Sequence, residues 1–277
     1  MNIGFIDYYL DEWHANNYPR WIEEASGGAA KVSKAYGMID SPIGGRTTRQ
    51  WCEDMGIPQA QTIAEIVETC DAIIVLSPDN CEMHEELSQL PLRSGKPTYI
   101  DKTFAPDYET AKRIFALAEQ FHTPCYSTSA LRYADEYQAV TGVDAAYSWG
   151  PYGFETYSIH QLEPVVMLIG ATPERVLAVK TPHSYSLQIE FEGGKVASVT
   201  GVDGEVPFMI NVVRGASAQV IAPESDYFKT FIRAMLNFFV NPAEVVPHAE
   251  TLRIMALRTA GIEALKRPGE WVNVVLS

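Results

Sequence analysis

The run Asp71-Ala-Ile-Ile-Val-Leu-Ser77, closed by Pro78, constrains this chain more than any other segment. Its unbroken apolar stretch does not alternate, which fits a strand buried on both faces of a parallel sheet. Ile3–Tyr9, Val32–Ile39, Pro97–Asp101 and Thr123–Thr128 are further strand candidates. Helical patterns lie between them. Thr62-x-x-Glu65 has the form of a capping box and opens a helix to about Thr69. Asp107 can cap a helix with a stripe of Ala111, Ile114, Phe115, Ala118 and Phe121 at the 3.6-residue period. Alternating strands and helices imply right-handed crossovers and an open parallel sheet. Such sheets bind ligands at the carboxyl ends of their strands.

The pattern changes near residue 128. A helical stripe (Ile159, Leu162, Val166, Ile169) comes first. Leu187, Ile189 and Phe191 then alternate with polar residues, Gly193-Gly194 turns the chain, and Val196–Val202 returns, which reads as a hairpin. Phe208–Arg214 and Ala218–Ala222 follow as strands, Tyr227–Val240 and Ala249–Lys266 as helices, and Trp271–Leu276 as a closing strand. The fold class expected is α/β. A parallel-sheet domain over residues 1–127 precedes an α+β domain over 128–277 with a mostly antiparallel open sheet.

Composition narrows the partners. The chain has 277 residues, of which 47% are hydrophobic, enough for a sizeable core. Its 21 Lys+Arg against 35 Asp+Glu give a net charge of −14, which argues against nucleic acid and anionic membranes as partners. No basic segment followed by an apolar one opens the chain, and no apolar run approaches the roughly 18 residues of a membrane span, so a cytoplasmic protein is expected. Cys52, Cys70, Cys81 and Cys125 stand apart, which suggests buried thiols rather than disulfides or a zinc site. No metal site is expected.

Candidate site residues follow from the strand ends. A dinucleotide-binding turn has the form G-x-G-x-x-G, so that backbone can approach a pyrophosphate at a helix N-terminus. Here the segment reads Gly4-Phe-Ile6-Asp7-Tyr-Tyr-Leu-Asp11-Glu12-Trp-His14, with acidic side chains where the pyrophosphate would sit. Ser77-Pro78-Asp79-Asn80 either lines a nucleotide cleft or is an ordinary turn. Lys102, after Asp101, can polarise a hydroxyl or carbonyl, or can simply pair with Asp101 at the surface. His160 and Glu163, three apart on one helix face, can form a general base with its orienting carboxylate, or a packed core pair. His84, in Glu82-Met-His-Glu-Glu86, reads as a solvated helix start.

In their order, several segments resemble the glucose-fructose oxidoreductase / inositol dehydrogenase / MocA family over essentially the whole chain. These are Asp71–Pro78, Ser94-Gly-Lys-Pro-Thr-Tyr-Ile-Asp-Lys-Thr-Phe-Ala105, His160-Gln-Leu-Glu163 with Leu168-Ile-Gly170, and Ala249–Lys266 with Trp271–Val274. The resemblance implies a Rossmann-like first domain binding NAD or NADP. It also implies a second domain that takes a sugar, polyol or related ring and builds a homo-oligomer, dimer or tetramer, through its sheet. By resemblance, Lys102 orients the substrate hydroxyl and His160 accepts its proton as hydride leaves for the nicotinamide, with Glu163 beside it. Arg132 and Tyr157 would join Lys102 and His160 around the substrate. Ile6, Asp7, His14, Asp40, Ser77, Pro78, Asn80 and Asp101 would line the cofactor. The chain departs from the pattern at the missing glycines, at Glu163 in place of Asp, at Thr156 next to Glu155, and at Asp40 as the nearest acid for the adenosine ribose. The resemblance also leaves a ligand-binding relative without a dinucleotide, or a lyase or epimerase using Lys102 and His160, as alternatives.

Overall fold

The computed structural model describes residues 1–243 and 245–276, and divides into two compact units. The first comprises Met1–Ala105, Glu109–Thr128 and Lys229–Pro247; the second comprises Pro106–Tyr108, Ser129–Phe228 and His248–Ser277.

The first unit is built on a parallel sheet of β1 (Asn2–Asp7), β2 (Lys31–Gly37), β3 (Ala72–Val75), β4 (Thr98–Ile100) and β5 (Cys125–Tyr126) in the order β2-β1-β3-β4-β5. All four β3 side chains are buried, as its unbroken apolar run requires. Helix α1 (Trp13–Ser26) follows β1, α2 (Thr48–Met55) follows β2, and α3 (Ile63–Thr69) precedes β3. Gly4 permits the approach of α3: a Cβ there would run into Ile66 and come within 3.1 Å of Cys70 Sγ. At Thr62 only half of the expected box forms, because Glu65 carboxylate accepts from Gln61 N at 3.1 Å rather than from the cap residue. A complete box forms instead at Thr47 and Gln50, opening α2, a helix that its weak apolar stripe conceals.

The helix Tyr227–Val240 supplies Phe231, Phe238 and their neighbours to this unit. Phe231 packs 5.4 Å from Tyr99 and 6.0 Å from Tyr18, and Phe238 packs 4.6 Å from Tyr126, between ring centroids. An amphipathic stripe announces burial, but not which sheet receives it.

The second unit carries a seven-stranded sheet of β6 (Ala145–Pro151), β7 (Pro173–Thr181), β8 (Ser184–Phe191), β9 (Lys195–Val202), β10 (Met209–Arg214), β11 (Ser217–Ile221) and β12 (Trp271–Asn273). Its order is β11-β10-β6-β9-β8-β7-β12, and only β6 and β9 pair in parallel. Two of these strands, β6 and β7, are not evident in the sequence, and the closing strand is shorter than its apolar run. The hairpin at Gly193-Gly194 is present; both glycines have φ above 70° (76° and 73°), a conformation open to glycine at little cost.

The helices Ile159–Ile169 and His248–Lys266 cover one face of this sheet. At Gly261 the approach is close enough that a Cβ would sit 2.7 Å from the Phe154 ring. On the other face the strand registers align Tyr147, Trp149, Val179, Val196 and Trp271, all exposed. Among the described residues no helix is long and apolar enough to cross a membrane.

Candidate functional site

In the first unit the chemistry gathers at the carboxyl end of β1 and β4. Asp7 closes β1 with 1% exposure. One carboxylate oxygen accepts from Tyr9 N at 3.3 Å, and the other, Oδ2, has no hydrogen-bond partner. Burial, and next the Glu12 carboxylate, push its carboxyl well above the usual range.

Glu12, 4% exposed, is the N-cap of α1. Its Oε2 accepts from His14 N at 2.7 Å and its Oε1 accepts from Ala15 N. The His14 ring follows, with Nδ1 2.9 Å from Glu12 Oε2 and Nε2 3.2 Å from Lys102 Nζ. Lys102 Nζ donates in turn to Asp101 Oδ2 at 3.1 Å. A carboxylate only accepts and an ammonium only donates, so His14 satisfies both ends by donating from Nδ1 and accepting at Nε2. Glu12, His14, Lys102 and Asp101 thus form one hydrogen-bonded chain.

Lys102 pairs with Asp101 but not at the surface, since its side chain is 10% exposed. Asp101 is fully buried, and burial opposes its charge. Burial is the largest single influence, but the Lys102 ammonium, its hydrogen bond and the neighbouring His14 and His84 together outweigh it and hold the carboxyl well below its ordinary value.

The neighbouring candidates are engaged as well. Asp11 accepts from the Arg46 guanidinium and from Asn16 Nδ2 at 3.2 Å, and the Arg46 hydrogen bond lowers its pKa. Asp40 Oδ1 accepts from Thr48 N at 2.7 Å, at the start of α2. Ser77 is buried at φ 79°, with its hydroxyl donating to Asn80 O at 3.1 Å, and Asn80 Nδ2 donates to Glu82 at 2.9 Å. Pro78 and Ile6 are buried, and Ile6 O receives the N–H of Leu76 at 2.8 Å.

His84 differs from its expectation as a solvated helix start. It is fully buried, with its ring nitrogens 2.6 Å from Leu76 O and 3.1 Å from Phe104 O, and burial lowers its pKa. The acidic residues around it made the segment read as surface.

A dinucleotide phosphate needs backbone N–H groups at a helix N-terminus. At α1 two of them, from His14 and Ala15, already serve Glu12. Two like charges 4 Å apart repel by about 1 kcal/mol in bulk water and about 4 kcal/mol at an effective dielectric of 20. The residues at this seat do not fit a pyrophosphate.

Asp7 gives the seat a pH signature. With its pKa raised by folding, the folded chain holds this proton more tightly than the unfolded chain does. That contribution is full below the unfolded value near 3.8 and is lost as pH rises through the folded value. Asp7→Asn is therefore expected to melt above the wild type at about pH 8 and level with it near pH 3.5; thermal unfolding at both pH values checks this.

In the second unit the site lies around the helix Ile159–Ile169. Ser129, which the sequence reading did not single out, lies beside both candidates. Its Oγ is 2.7 Å from His160 Nδ1, and its N–H donates to Glu163 Oε2 at 2.6 Å. Glu163 is 2% exposed and lies 3.5 Å from Arg132 Nη1, which also pairs with Glu250. Burial opposes the Arg132 charge, but Glu163 and Glu250 raise its pKa above the usual value. The rings of Tyr157 and Phe208 each stand 5.6 Å from His160 between centroids. Glu155 and Thr156 are exposed, and Arg258 Nη2 donates to Glu155 O at 2.7 Å. Ser129 left no signal beyond the Ser-Thr-Ser129 run at the change of pattern. Glu12 stood out as one of the acids at the pyrophosphate position, but not as a cap, because Glu is not a favoured N-cap.

Comparison with known proteins adds the family. Residues 33–128 match GFO_IDH_MocA, the oxidoreductase family with an NAD-binding Rossmann fold. No curated relative matches the sequence. Among solved structures, the chain resembles scyllo-inositol dehydrogenase from Lactobacillus casei with bound NAD(H) and scyllo-inositol, at TM-score 0.80 and 15% identity, covering 99% of this chain and 98% of that one. It also resembles a probable dehydrogenase from Thermotoga maritima, at TM-score 0.81 and 12% identity over 99% of both chains. UDP-N-acetylglucosamine 3-dehydrogenase from Acidithiobacillus ferrooxidans matches at TM-score 0.74 and 14% identity, over 95% of this chain and 97% of that one. At these identities the likeness is one of fold: a Rossmann-like parallel sheet and a mostly antiparallel second sheet.

Proposed function

This chain belongs, through residues 33–128, to the Gfo/Idh/MocA oxidoreductase family with its NAD-binding Rossmann fold, and on that premise we propose that it acts on a hydroxyl of a carbohydrate-like polyol, with His160 taking the hydroxyl proton. The observation that carries this reading is the 2.7 Å contact between Ser129 Oγ and His160 Nδ1. A histidine held at Nδ1 presents a fixed Nε2 for proton transfer. Glu163 and Arg132 act through Ser129: they hold its backbone, and Glu250 holds Arg132. The flanking Tyr157 and Phe208 rings offer apolar faces of the kind that pack on a sugar ring. Polyol and sugar-nucleotide dehydrogenases of the same fold support the substrate class.

In a dehydrogenase the same carbon loses a hydride to NAD or NADP. Because the seat at α1 does not fit a pyrophosphate, the proton half of that chemistry is what these residues supply. Glu12 favours a second reading, in which His160 transfers the proton in a lyase or epimerase reaction without a dinucleotide.

The test is a melting-temperature screen with inositols, hexoses and hexuronates, since a ligand that binds the folded state raises Tm. At least one is expected to do so. Its conversion, followed by NMR with and without NAD(P), is expected to fall about 10²–10⁴-fold in His160→Ala. No response to any member of the panel would sink the proposal. Self-association through the open sheet face belongs to the same proposal, carried by exposed Tyr147, Trp149, Val179, Val196 and Trp271. Light scattering checks it, and a monomer at micromolar concentration counts against it.

A further inference from the structure

We infer that Glu12 stands in for a dinucleotide phosphate, so that the first unit holds neither NAD nor NADP at the N-terminus of α1. This goes beyond the reading of His160 and stands without it.

A helix start attracts an anion because its first N–H groups lack partners within the helix and carry partial positive charge. In α1 that anion is built into the chain. The two Glu12 carboxylate oxygens divide the work, Oε2 on His14 N and Oε1 on Ala15 N. The residue is 4% exposed, so this is a buried cap and not a surface side chain lying over the helix.

Glu12 has a second employment that a passing cap would lack. Its Oε2 is 2.9 Å from His14 Nδ1, and His14 Nε2 lies 3.2 Å from Lys102 Nζ. Drawing Glu12 away to admit a phosphate would leave the His14 ring without its carboxylate and loosen the contact with Lys102.

The surroundings do not favour a second anion. Asp7 lies directly before the turn, with Oδ2 buried and without a hydrogen-bond partner. In place of glycines, whose bare backbone lets a pyrophosphate approach, the turn carries Tyr9 and Leu10, both buried. Arg46, beside the turn, is already bound to Asp11 and to Asn16 Oδ1 at 2.7 Å. Asp40, the candidate for a ribose hydroxyl, already holds Thr48 N.

The experiment is calorimetric titration of the full chain with NADH and NADPH, for the wild type and for Glu12→Ala and Glu12→Gln, each checked for folding by circular dichroism. The wild type is expected to show no saturable binding below about 1 mM. Glu12→Ala vacates both N–H groups and is expected to gain affinity for NADH at least about tenfold over the wild type. Glu12→Gln keeps an acceptor for the cap and removes the charge, so it serves where the alanine variant does not fold. Saturable one-to-one binding of either dinucleotide to the wild type at micromolar concentration overturns the inference. A folded variant with no gain overturns it too. A protein that gives these dinucleotide results but ignores every polyol contradicts only the reading of His160.

Discussion

Arg132→Met should cost the second unit about 3–5 kcal/mol, read as a lower midpoint in urea unfolding with an unchanged slope. The guanidinium is the shared partner of Glu163, at 2% exposure, and of Glu250. Methionine fills a similar volume but leaves two carboxylates without their counter-charge, which is why breaking a buried pair costs more than the pair is worth as a whole. Adding Glu250→Gln to the variant should return part of the loss, since one orphaned charge goes with it. The damage should also reach His160, because Glu163 holds the N–H of the residue whose hydroxyl meets the His160 ring.

Trp51→Ala carries the largest expected effect in the first unit, about 3–5 kcal/mol in the same measurement. Trp51 is fully buried in α2, and its Nε1 donates to Asn16 Oδ1 at 2.8 Å. That oxygen also receives Arg46 Nη2, so the indole helps to fix the residues around Asp11. Trp51→Phe separates the two contributions. It keeps most of the apolar bulk and should cost less than the alanine variant, with about 1 kcal/mol of its loss from the missing hydrogen bond.

What the sequence made legible follows the range of the forces involved. The parallel strands were readable from short segments bounded by turn residues, most plainly β3, whose four residues are all apolar and buried, and least plainly β2, whose lysines and serine interrupt its apolar positions. Helix α2 was hidden because its entry rests on a Thr47–Gln50 side-chain exchange and it buries only Thr48, Trp51 and Cys52. Strands β6 and β7 were hidden because residues such as Tyr147 and Trp149 point out of the sheet yet are apolar, which blurs the alternation that marks a half-buried strand.

In the candidate site, Lys102 was singled out at a strand end and His160 on a helix face, with the family spacing added to both, and Asp7 and His14 by their place after β1. Ser129 was not singled out, and Glu12 was read as an acid at the pyrophosphate position but not as the cap of α1. A serine hydroxyl's partner is fixed by three-dimensional closeness, and a glutamate cap reads like any acidic surface residue until its burial is known. His84 misled for the related reason that its acidic neighbours advertise solvent while its ring turns inward.

The first unit is discontinuous in sequence, and this bears on how a ribosome delivers it. The five strands of its sheet have all left the exit tunnel soon after residue 126. The aromatic layer formed by Phe231 and Phe238 against Tyr18, Tyr99 and Tyr126 arrives only with Lys229–Pro247. For roughly a hundred residues of synthesis the nascent sheet therefore shows uncovered tyrosines to its surroundings. A fragment ending at residue 128 should reproduce that interval in the test tube, and should precipitate or recruit chaperones where the whole chain does neither.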